Sequence, residues 1–447
     1  MGSDLRSRLR RIRAAEVSGK PGIPSGTAGS ARPAAEAPLS APPELGPGWT
    51  RAGYLTMKRT LLLDAPHLPP VFPPSLGILV PDLLRYTPGE AGPKALLFFD
   101  LETTGLSSGA GVVAFLAAFG RLASVAGETK LEVAQYLLLD YPGEDDFLEA
   151  VLGEFRREED GCPPLTVTYN GKTFDAQVLK TRCLMQGRPP PVFFHADLLH
   201  PARRLWKRIL PSCSQGEIET AVLGLDRTGD TPGAMAPDIW FAFLKTGETA
   251  ALGGICDHNV RDISGLARLF GALVRIAEDP LRAHSLYSYD LESLALHWRK
   301  VCRPKRKTGE RFLFGGEIPE TGKTLLSAAA SQGCPLAALT LARDLFSAGE
   351  HEAGRGRLRS VAAGDHSPYV RALVLRSLAI DAERRLRDLS LALSYAEAAL
   401  ALHTPASGVP ISPCALPLSL REDLTRRRDR LMEKRGAGGP GIGGNAG

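Results

Sequence analysis

Short apolar runs separated by turn residues predict three consecutive strands, at residues 96–102, 112–122 and 131–140. The turn Ala126-Gly127-Glu128 lies between the last two strands, and connections this short are typical of an antiparallel meander. Helical and extended periodicity then alternate, with helices predicted at 145–155 and 174–185 and strands at 164–169 and 192–198. The order βββαβαβ predicts a mixed α/β sheet.

The rest of the chain has helical periodicity. Helices are predicted after the last strand at 201–209, 215–223, 237–245 and 257–277. From Lys323 the chain is rich in Ala and Leu, and it is interrupted at nearly regular intervals by Gly333, Gly349 and Gly364. Helix pairs of about 34 residues are typical of tetratricopeptide repeats. We therefore expect an array of helical hairpins, with a plain helical bundle as the alternative.

Composition divides the 447 residues into six segments. Residues 1–47 are rich in Ala, Pro, Gly and Ser, carry a cluster of arginines and are expected to be disordered. Residues 48–94 are expected to be a lead-in that packs on the next domain. The remaining boundaries predict an α/β domain at 95–278, a basic connector at 279–318, a helical domain at 319–434 and a flexible tail at 435–447.

Composition also restricts the class of protein. A hydrophobic content of 44% supports packed cores, and a net charge of +5 permits contact with nucleic acid without arguing for it. The seven cysteines are scattered and form no C-x-x-C pair, which is typical of reduced thiols rather than of a disulfide or zinc framework. No apolar run approaches the ~20 residues that span a bilayer, so we expect a cytoplasmic protein with no membrane partner.

The segment LLFFDLETTGL at 96–106 is the first candidate for chemistry. Asp100 and Glu102 lie two residues apart at the end of the first predicted strand, so both carboxylates point to one face. Two buried carboxylates on one face repel each other unless a cation lies between them. Oxygen ligands grouped in this way are what a two-metal phosphoryl-transfer site requires, although a solvated strand end is the alternative for an isolated D-x-E.

Two further segments carry acids that could complete such a site. Asp175 begins a predicted helix after the turn at Asn170-Gly171, where its simpler role is to cap that helix. His258 and Asp262 lie four residues apart and therefore share one helical face, where a surface salt bridge is the alternative. Taken together with the first pair, these segments are far more specific than any one of them alone.

The three segments resemble the motifs of the DEDD exonuclease superfamily, whose fold is ribonuclease-H-like: F-D-L-E-T-T-G-L at 99–106, N-G-x-x-F-D at 170–175 and the helix that carries Asp262. More closely, residues 48–275 resemble a bacterial family that joins a ribonuclease-H-like exonuclease domain to a tetratricopeptide-like tail. The segments at 48–51, 195–208 and 229–237 fit that family. The resemblance implies a ribonuclease-H-like mixed sheet (βββαβαβα) followed by an α-helical hairpin repeat region.

By the same resemblance, Asp100, Glu102, Asp175 and Asp262 would hold two divalent metal ions, Mg²⁺ or Mn²⁺. Asp100 and Glu102 would act with His258 in hydrolysing phosphodiester bonds of DNA or RNA from the 3′ end. The superfamily's general base is either a Tyr four residues before the last Asp or a His five residues before it. Here a His occupies the Tyr spacing. The subclass, and the role of His258 as the base, therefore stay open.

The resemblance further implies residues that hold the terminal nucleotide, namely Thr103, Thr104 and Leu106. Leu106 would act as an apolar wedge or, equally, belong to the core. Asn170 would touch the nucleotide or orient the second motif, and capping of the turn is an equal alternative.

Basic residues surround an aromatic residue on the helix predicted at 201–209. Arg203, Arg204 and Lys207 lie close to Trp206, which predicts a surface for single-stranded nucleic acid. A charged helix face over a buried Trp206 is the alternative. We therefore expect single-stranded 3′ ends as the substrate, and a protein partner of the helical region as a second candidate partner.

The main hypothesis is thus a two-metal-dependent 3′–5′ exonuclease. One alternative is a nucleic-acid-binding scaffold with an inactive nuclease domain, and another is a phosphodiesterase of short oligonucleotides. All four acids are present, which argues against an inactive site. The choice between DNA and RNA depends on contacts to the 2′-hydroxyl, and no motif identifies them.

Overall fold

A seven-stranded mixed sheet lies at the centre of the first half of the protein. Its strands are β1 (Thr50–Gly53), β2 (Thr56–Asp64), β3 (Leu96–Thr103), β4 (Ala114–Val125), β5 (Glu128–Leu138), β6 (Leu165–Thr168) and β7 (Phe194–Asp197). They are ordered β1-β2-β5-β4-β3-β6-β7. The computed structural model describes residues 45–84, 86, 92–105, 109–157, 164–192, 194–302, 318–402 and 416–437.

The predicted mixed sheet is confirmed, including its antiparallel meander. β3 pairs antiparallel with β4, and β4 with β5, whereas β6 and β7 run parallel to β3. The lead-in contributes more than its short extended pieces predicted, because β2 pairs with β5 over its whole length and β1 pairs with β2. The sheet therefore contains the five predicted strands and two further strands, β1 and β2, at one edge.

The helices follow one another in the order α1 (Leu76–Leu79), α2 (Glu144–Arg156), α3 (Asp175–Met185), α4 (Leu199–Trp206), α5 (Gln215–Ala221), α6 (Ala236–Thr246), α7 (Ala250–Glu278), α8 (Pro280–Tyr287), α9 (Leu291–Cys302), α10 (Ile318–Ser331), α11 (Pro335–Ala348), α12 (His351–Ala363), α13 (Pro368–Asp381), α14 (Leu389–Ala401) and α15 (Leu418–Ala437). A π-helical turn, Ala382–Leu386, continues α13. None of the helices in the described residues is both long and apolar enough to span a membrane.

β3 is a central strand that contributes to two hydrophobic cores. Leu97 and Phe99 pack on one face of the sheet with residues of α2, α3 and α6. Leu96 and Phe98 pack on the other face, with α7 and with residues of α9. Because side chains alternate along a strand, Asp100 continues the row of Leu96 and Phe98 and lies on the α7 face.

α7 is the longest helix, with 29 residues, and it joins the two cores. Leu252 and Ile255 in its first turns belong to one core, and Leu266 and Phe270 further along belong to the other. The helix lies very close to β4, since a Cβ atom at Gly120 would come within 2.6 Å of the Ile263 side chain. The central part of α7 is thereby held against the end of β3.

From α9 onward, each helix packs against the next one in sequence. This run of helices agrees with the predicted helical region, whereas its assignment to tetratricopeptide repeats stays a prediction. The segment predicted as a basic connector contains α8 and α9, and its residues 303–317 lie outside the described residues. Leu325 and Leu326 of α10 share a core with Trp298 of α9 and with the sheet. The hydrophobic core is therefore continuous across residue 319.

Candidate active site

Three elements bring acidic side chains to the end of β3. Asp100 and Glu102 lie on β3, and Glu102 is buried with 8% of its surface exposed. Asp262 and His258 lie one helical turn apart on α7. The ligand atoms of Glu102, His258 and Asp262 all lie within 4.8 Å of one another. Such a group of oxygen and nitrogen donors is able to hold a divalent cation.

Asp175, the first residue of α3, is the buried fourth acid. The turn before it has Asn170 in the left-handed region, with φ of +66°. The buried carboxylate of Asp197 fixes this turn, since it accepts hydrogen bonds from the backbone N–H groups of Asn170 at 2.8 Å and Lys172 at 3.1 Å. It also accepts one from the N–H of Leu199 at the start of α4. Asp197 therefore caps α4, and it holds the turn that leads to Asp175.

The pKa values of these carboxyl groups reflect burial and mutual repulsion. Burial raises the pKa of Glu102 to about 8, and the charges of Asp262 and Asp175 act in the same direction. The pKa of Asp100 is well above its ordinary value for the same reasons, chiefly burial. Burial also raises the pKa of Asp175 to about 7. Full ionisation of Asp100, Glu102 and Asp175 is therefore disfavoured without a cation.

A chain of buried polar side chains orients Asp100. Asn259 of α7 donates a hydrogen bond from Nδ2 to Oδ2 of Asp100 at 2.7 Å. Gln135 of β5 in turn donates from Nε2 to Oδ1 of Asn259 at 2.8 Å. Arg59 of β2 donates to Oε1 of Gln135. Gln135 and Asn259 have no exposed surface, so both amides are held in single orientations.

The loop before α6 provides a second set of partners. Arg227 forms ion pairs with Asp262, Glu219 and Asp230. The guanidinium of Arg227 contacts Asp262 and offsets part of the charge of that carboxylate. Asp230 also accepts from Arg261 of α7 at 3.0 Å. The loop is thereby fastened to the face of α7 that carries His258 and Asp262.

His258 is oriented by Asp230. Its Nδ1 lies 2.9 Å from Oδ2 of Asp230, and its Nε2 lies 3.5 Å from Oδ2 of Asp262. A carboxylate beside Nδ1 assigns the proton of the neutral ring to that nitrogen. The lone pair of Nε2 then faces Asp262. Lone pairs of the His258 imidazole and of the Asp262 carboxylate therefore point toward one another. The two groups are placed to share a cation or a proton.

Sequence reasoning missed Asn259, Gln135, Arg227 and Asp230 as site residues. Gln135 is a polar residue within the otherwise apolar run from Val133 to Leu139, which is a signal that could have been used. Asn259 lies beside His258 and could have been noticed for that reason. Asp230 belongs to the segment 229–237, which fits the bacterial family, but that resemblance gives Asp230 no contact.

The predicted nucleotide-binding residues hold the turn after β3. The Thr103 hydroxyl donates to the carbonyl of Gly105 at 2.8 Å, and the Thr104 hydroxyl accepts from the N–H of Val113 at 2.9 Å. Leu106 lies outside the described residues. The Asn170 side chain accepts a hydrogen bond from the Thr173 hydroxyl at 2.9 Å within its own turn. Contact of these residues with a nucleotide stays a prediction.

On α4, the alternative with a buried tryptophan is the one observed. Trp206 has no exposed surface, and its indole N–H donates to the carbonyl of Tyr287 at 3.0 Å. It is therefore not available for stacking on a base. Arg203 and Lys207 are exposed, and Arg204 is half-buried. Their contact with phosphates stays a prediction.

Residues 97–274 match the model of the family described as the RNase_H superfamily. The mixed sheet and the helices around it agree with that match, so this part of the chain is an RNase H-like domain. Folds of this class generally belong to hydrolytic nucleases that use divalent metals.

The protein is also similar to a curated protein of Bacillus subtilis (strain 168), named "Uncharacterized protein YprB". The two are 43% identical over 178 residues, which cover 39% of this chain and 41% of the relative. The chain thus spans about two fifths of the length of the curated relative that it matches.

Proposed function

We propose that the protein is a metal-dependent 3′–5′ exonuclease that hydrolyses terminal phosphodiester bonds of single-stranded DNA or RNA. The observation that carries this proposal is the convergence of carboxylates from β3, α3 and α7, where burial is the largest cause of the raised pKa values of Asp100, Glu102 and Asp175. An RNase H-like domain supports nucleic-acid cleavage in general. The direction of cleavage follows from the resemblance of the three sequence motifs.

The donor set fits the cofactor that the fold implies. Asp100, Glu102, Asp175 and Asp262 offer hard oxygen atoms of the kind that Mg²⁺ and Mn²⁺ prefer. Bound divalent ions would supply a water of lowered pKa and stabilise the charge on the leaving oxygen. The raised pKa values support the fit, because carboxylates in this arrangement need a cation to be ionised together.

The protein's own residues orient the groups that act on the substrate. Asn259 holds Oδ2 of Asp100, which fixes the plane of that carboxylate. Asp230 holds Nδ1 of His258 and leaves Nε2 free to accept a proton from the attacking water or to orient that water. Arg227 keeps Asp262 in place from the other side.

The test uses DNA and RNA oligomers labelled at either end and incubated with Mg²⁺ or Mn²⁺. We expect the 5′-labelled oligomers to give a ladder that shortens from the 3′ end, and EDTA to abolish it. The Asp100→Asn chain is the matched control, since it keeps the size of the side chain and removes its charge. Internal cleavage of a circular single strand, or turnover that survives EDTA, would contradict the proposal.

A further inference from the structure

The net charge of the protein is concentrated in its last helices. From His351 to the end there are 15 lysine and arginine residues and 10 acidic residues, whereas the whole chain has 54 and 49. The first 350 residues are therefore neutral overall, and the segment after them carries the entire excess of +5. All 15 basic residues lie in the described part of the chain.

Much of this excess is gathered around two nearly buried acids, and we name the group the basic end. Asp381, with 1% of its surface exposed, pairs with Arg355 of α12 at 3.0 Å and with Arg385 at 3.3 Å. Glu383 lies two residues further on, in the π-helical turn, and its side chain is 7% exposed. It pairs with three cations of α15: Arg427 at 2.9 Å, Arg430 at 2.8 Å and Lys434 at 2.8 Å. Five cations are thus held by these two carboxylates, and Arg355 also pairs with Glu352 at 2.8 Å.

Hydrophobic packing keeps this group in place. Leu431 of α15 is fully buried against Ala382 and against residues of α14. Arg430 and Lys434 flank it and remain about half exposed, at 46% and 50% of their side-chain surfaces. Arg426 lies four residues before Arg430, so the three basic side chains follow one line along the helix. Their charges are therefore presented to solvent by a rigid element.

Three further cations extend the group, and the charge of one of them, Arg426, also acts on Asp423. Arg384 and Arg387 lie in and just after the π-helical turn, and both are exposed. Neither of them, nor Arg426, forms a hydrogen bond or ion pair among the described residues. The pKa of Arg427 is lowered by burial and then by the charge of Arg430, which agrees with crowding of like charges. The basic end therefore suits an anionic ligand with several charges.

We propose that the basic end binds the phosphodiester backbone of single-stranded nucleic acid. Guanidinium groups match the geometry of phosphate oxygens, and a row of cations releases several counterions when it binds a polyanion. The choice of a nucleic acid as the polyanion rests on the proposed nuclease function. On this view, the helical region holds the strand whose 3′ end the RNase H-like domain degrades.

The test measures binding of the full chain, in EDTA, to fluorescein-labelled oligo-dT and oligo-U over a range of salt concentrations. The test chain carries Arg384→Gln and Arg387→Gln. Each phosphate contact to a single strand contributes about 0.7 to the slope of log K against log salt. Loss of two contacts should lower the slope by about 1.4 and weaken binding about 25-fold at 0.1 M salt.

The matched control carries Arg357→Gln and Arg371→Gln, which also removes two exposed charges. Arg357 points away from Arg355 on α12, and Arg371 lies about 15 Å along α13 from Asp381. We expect this chain to bind nearly as tightly as the unsubstituted protein. Equal losses in both chains, or an unchanged slope in the test chain, would overturn the proposal.

Two further arms separate this proposal from the nuclease proposal and from another partner. If the unsubstituted protein degrades oligomers but the test chain binds them normally, the proposal for the basic end is wrong and the nuclease proposal stands. If the slope falls as expected but no cleavage occurs, the proposal for the basic end stands and the nuclease proposal is wrong. Vesicles of phosphatidylcholine and phosphatidylserine serve as the competing ligand. Loss of vesicle binding without loss of oligomer binding would assign the surface to a membrane instead.

Discussion

Two regions of this protein collect charge of a single sign, and they do so in different ways. At the end of β3, four acids face one another, and Arg227 pairs with Asp262. At the basic end, five cations surround Asp381 and Glu383. In neither region do the protein's own ion pairs balance the charge. Each region is therefore suited to a ligand of the opposite sign, a divalent cation in one case and a polyanion in the other.

The two regions differ most in burial, and burial decides how each would respond to its ligand. Asp100, Glu102 and Asp175 have raised pKa values, and burial is the largest cause in each case. At the basic end, Arg430 and Lys434 are about half exposed, so salt screens their charges. Arg355 and Arg427 are mostly buried. We expect metal binding to depend on pH and nucleic-acid binding at the basic end to depend on salt. The following variants test this contrast.

The largest effect is expected from Asp100→Asn. Removing one carboxylate weakens the hold on an ion that stabilises transition-state charge by several kcal/mol. Turnover should fall by at least about 10³-fold, since each 1.36 kcal/mol is a factor of ten. Labelled oligomers measure the rate, and oligomer binding in EDTA is the control, which should not change. Normal cleavage by this variant would contradict the two-metal assignment.

The second largest loss of turnover is expected from His258→Ala. General-base assistance is worth about 10²–10⁴-fold, which sets the expected loss of rate if Nε2 accepts the proton of the attacking water. Asp230→Asn is the companion variant, because it changes the partner of Nδ1 and leaves the ring in place.

His258→Tyr sharpens this test, because Tyr at this spacing is used by one branch of the superfamily that the motifs resemble. Substantial activity in the Tyr variant would indicate that the side chain orients the water. A full rate and unchanged pH profile in His258→Ala would show that His258 has a structural role only.

Asn259→Ala should reduce activity less than Asp100→Asn and His258→Ala do, and it should reduce stability more. Loss of the hydrogen bond to Asp100 should weaken metal affinity by about 10–100-fold, the usual effect of a group that orients a ligand. One N–H of the Gln135 amide would also lose its acceptor, at a cost of about 1–3 kcal/mol, whereas the hydrogen bond from Nε2 to the carbonyl of Cys256 remains. Calorimetric titration with Mn²⁺ measures the affinity.

Ser75→Ala is the matched control for Asn259→Ala. Ser75 is also buried and donates to the carbonyl of Ala277, so this variant likewise loses a buried hydrogen bond. It should lower the melting temperature without changing Mn²⁺ affinity. Equal affinities in the two variants would show that the amide chain has no part in the site.

Sequence patterns were sufficient for the mixed sheet and its meander, whereas the role of the carboxylates of the three motifs stays a prediction. The apolar run before Asp100 and the spacing of His258 and Asp262 are local features, and local features survive in a single sequence. β1 and β2 were missed as strands of the sheet, because an edge pairing with β5 depends on contacts more than 60 residues apart. Trp206 was ambiguous because helical periodicity cannot tell a buried aromatic from an exposed one.

Sequence patterns do not reveal the supporting residues of either region, and the physical reason is the same for both. The chain from Arg59 through Gln135 to Asn259 joins three elements that are distant in sequence, and each amide is ordinary by itself. The basic end likewise combines residues from α12, the π-helical turn and α15. The boundary predicted at residue 319 followed composition, whereas Leu325 packs into the same core as the sheet.

The smallest expected effect is the dependence of stability on pH, which has opposite signs in the two regions. The pKa of Glu102 is raised from 4.5 to about 8, chiefly by burial, so the metal-free native state holds a proton that the unfolded chain releases. The stability that this group contributes is complete below about pH 4.5 and is lost as the pH rises toward 8. The pKa of Glu383 is lowered: burial alone would raise it, but hydrogen bonds from Lys434 and Arg430 outweigh burial. Its contribution is present above its ordinary pKa and is lost as the pH falls.

Glutamine variants separate these contributions, because Gln resembles the protonated acid. In metal-free protein, Glu102→Gln should leave the melting temperature unchanged near pH 4.5 and raise it by several degrees above pH 8. Glu383→Gln should lower the melting temperature at neutral pH and have a vanishing effect in acid. Added Mg²⁺ should stabilise the unsubstituted protein and Glu383→Gln, but not Glu102→Gln, because only the first two keep the carboxylate that binds it. If both variants shift the melting temperature in the same direction at every pH, the two regions do not differ in charge balance as the ion pairs indicate.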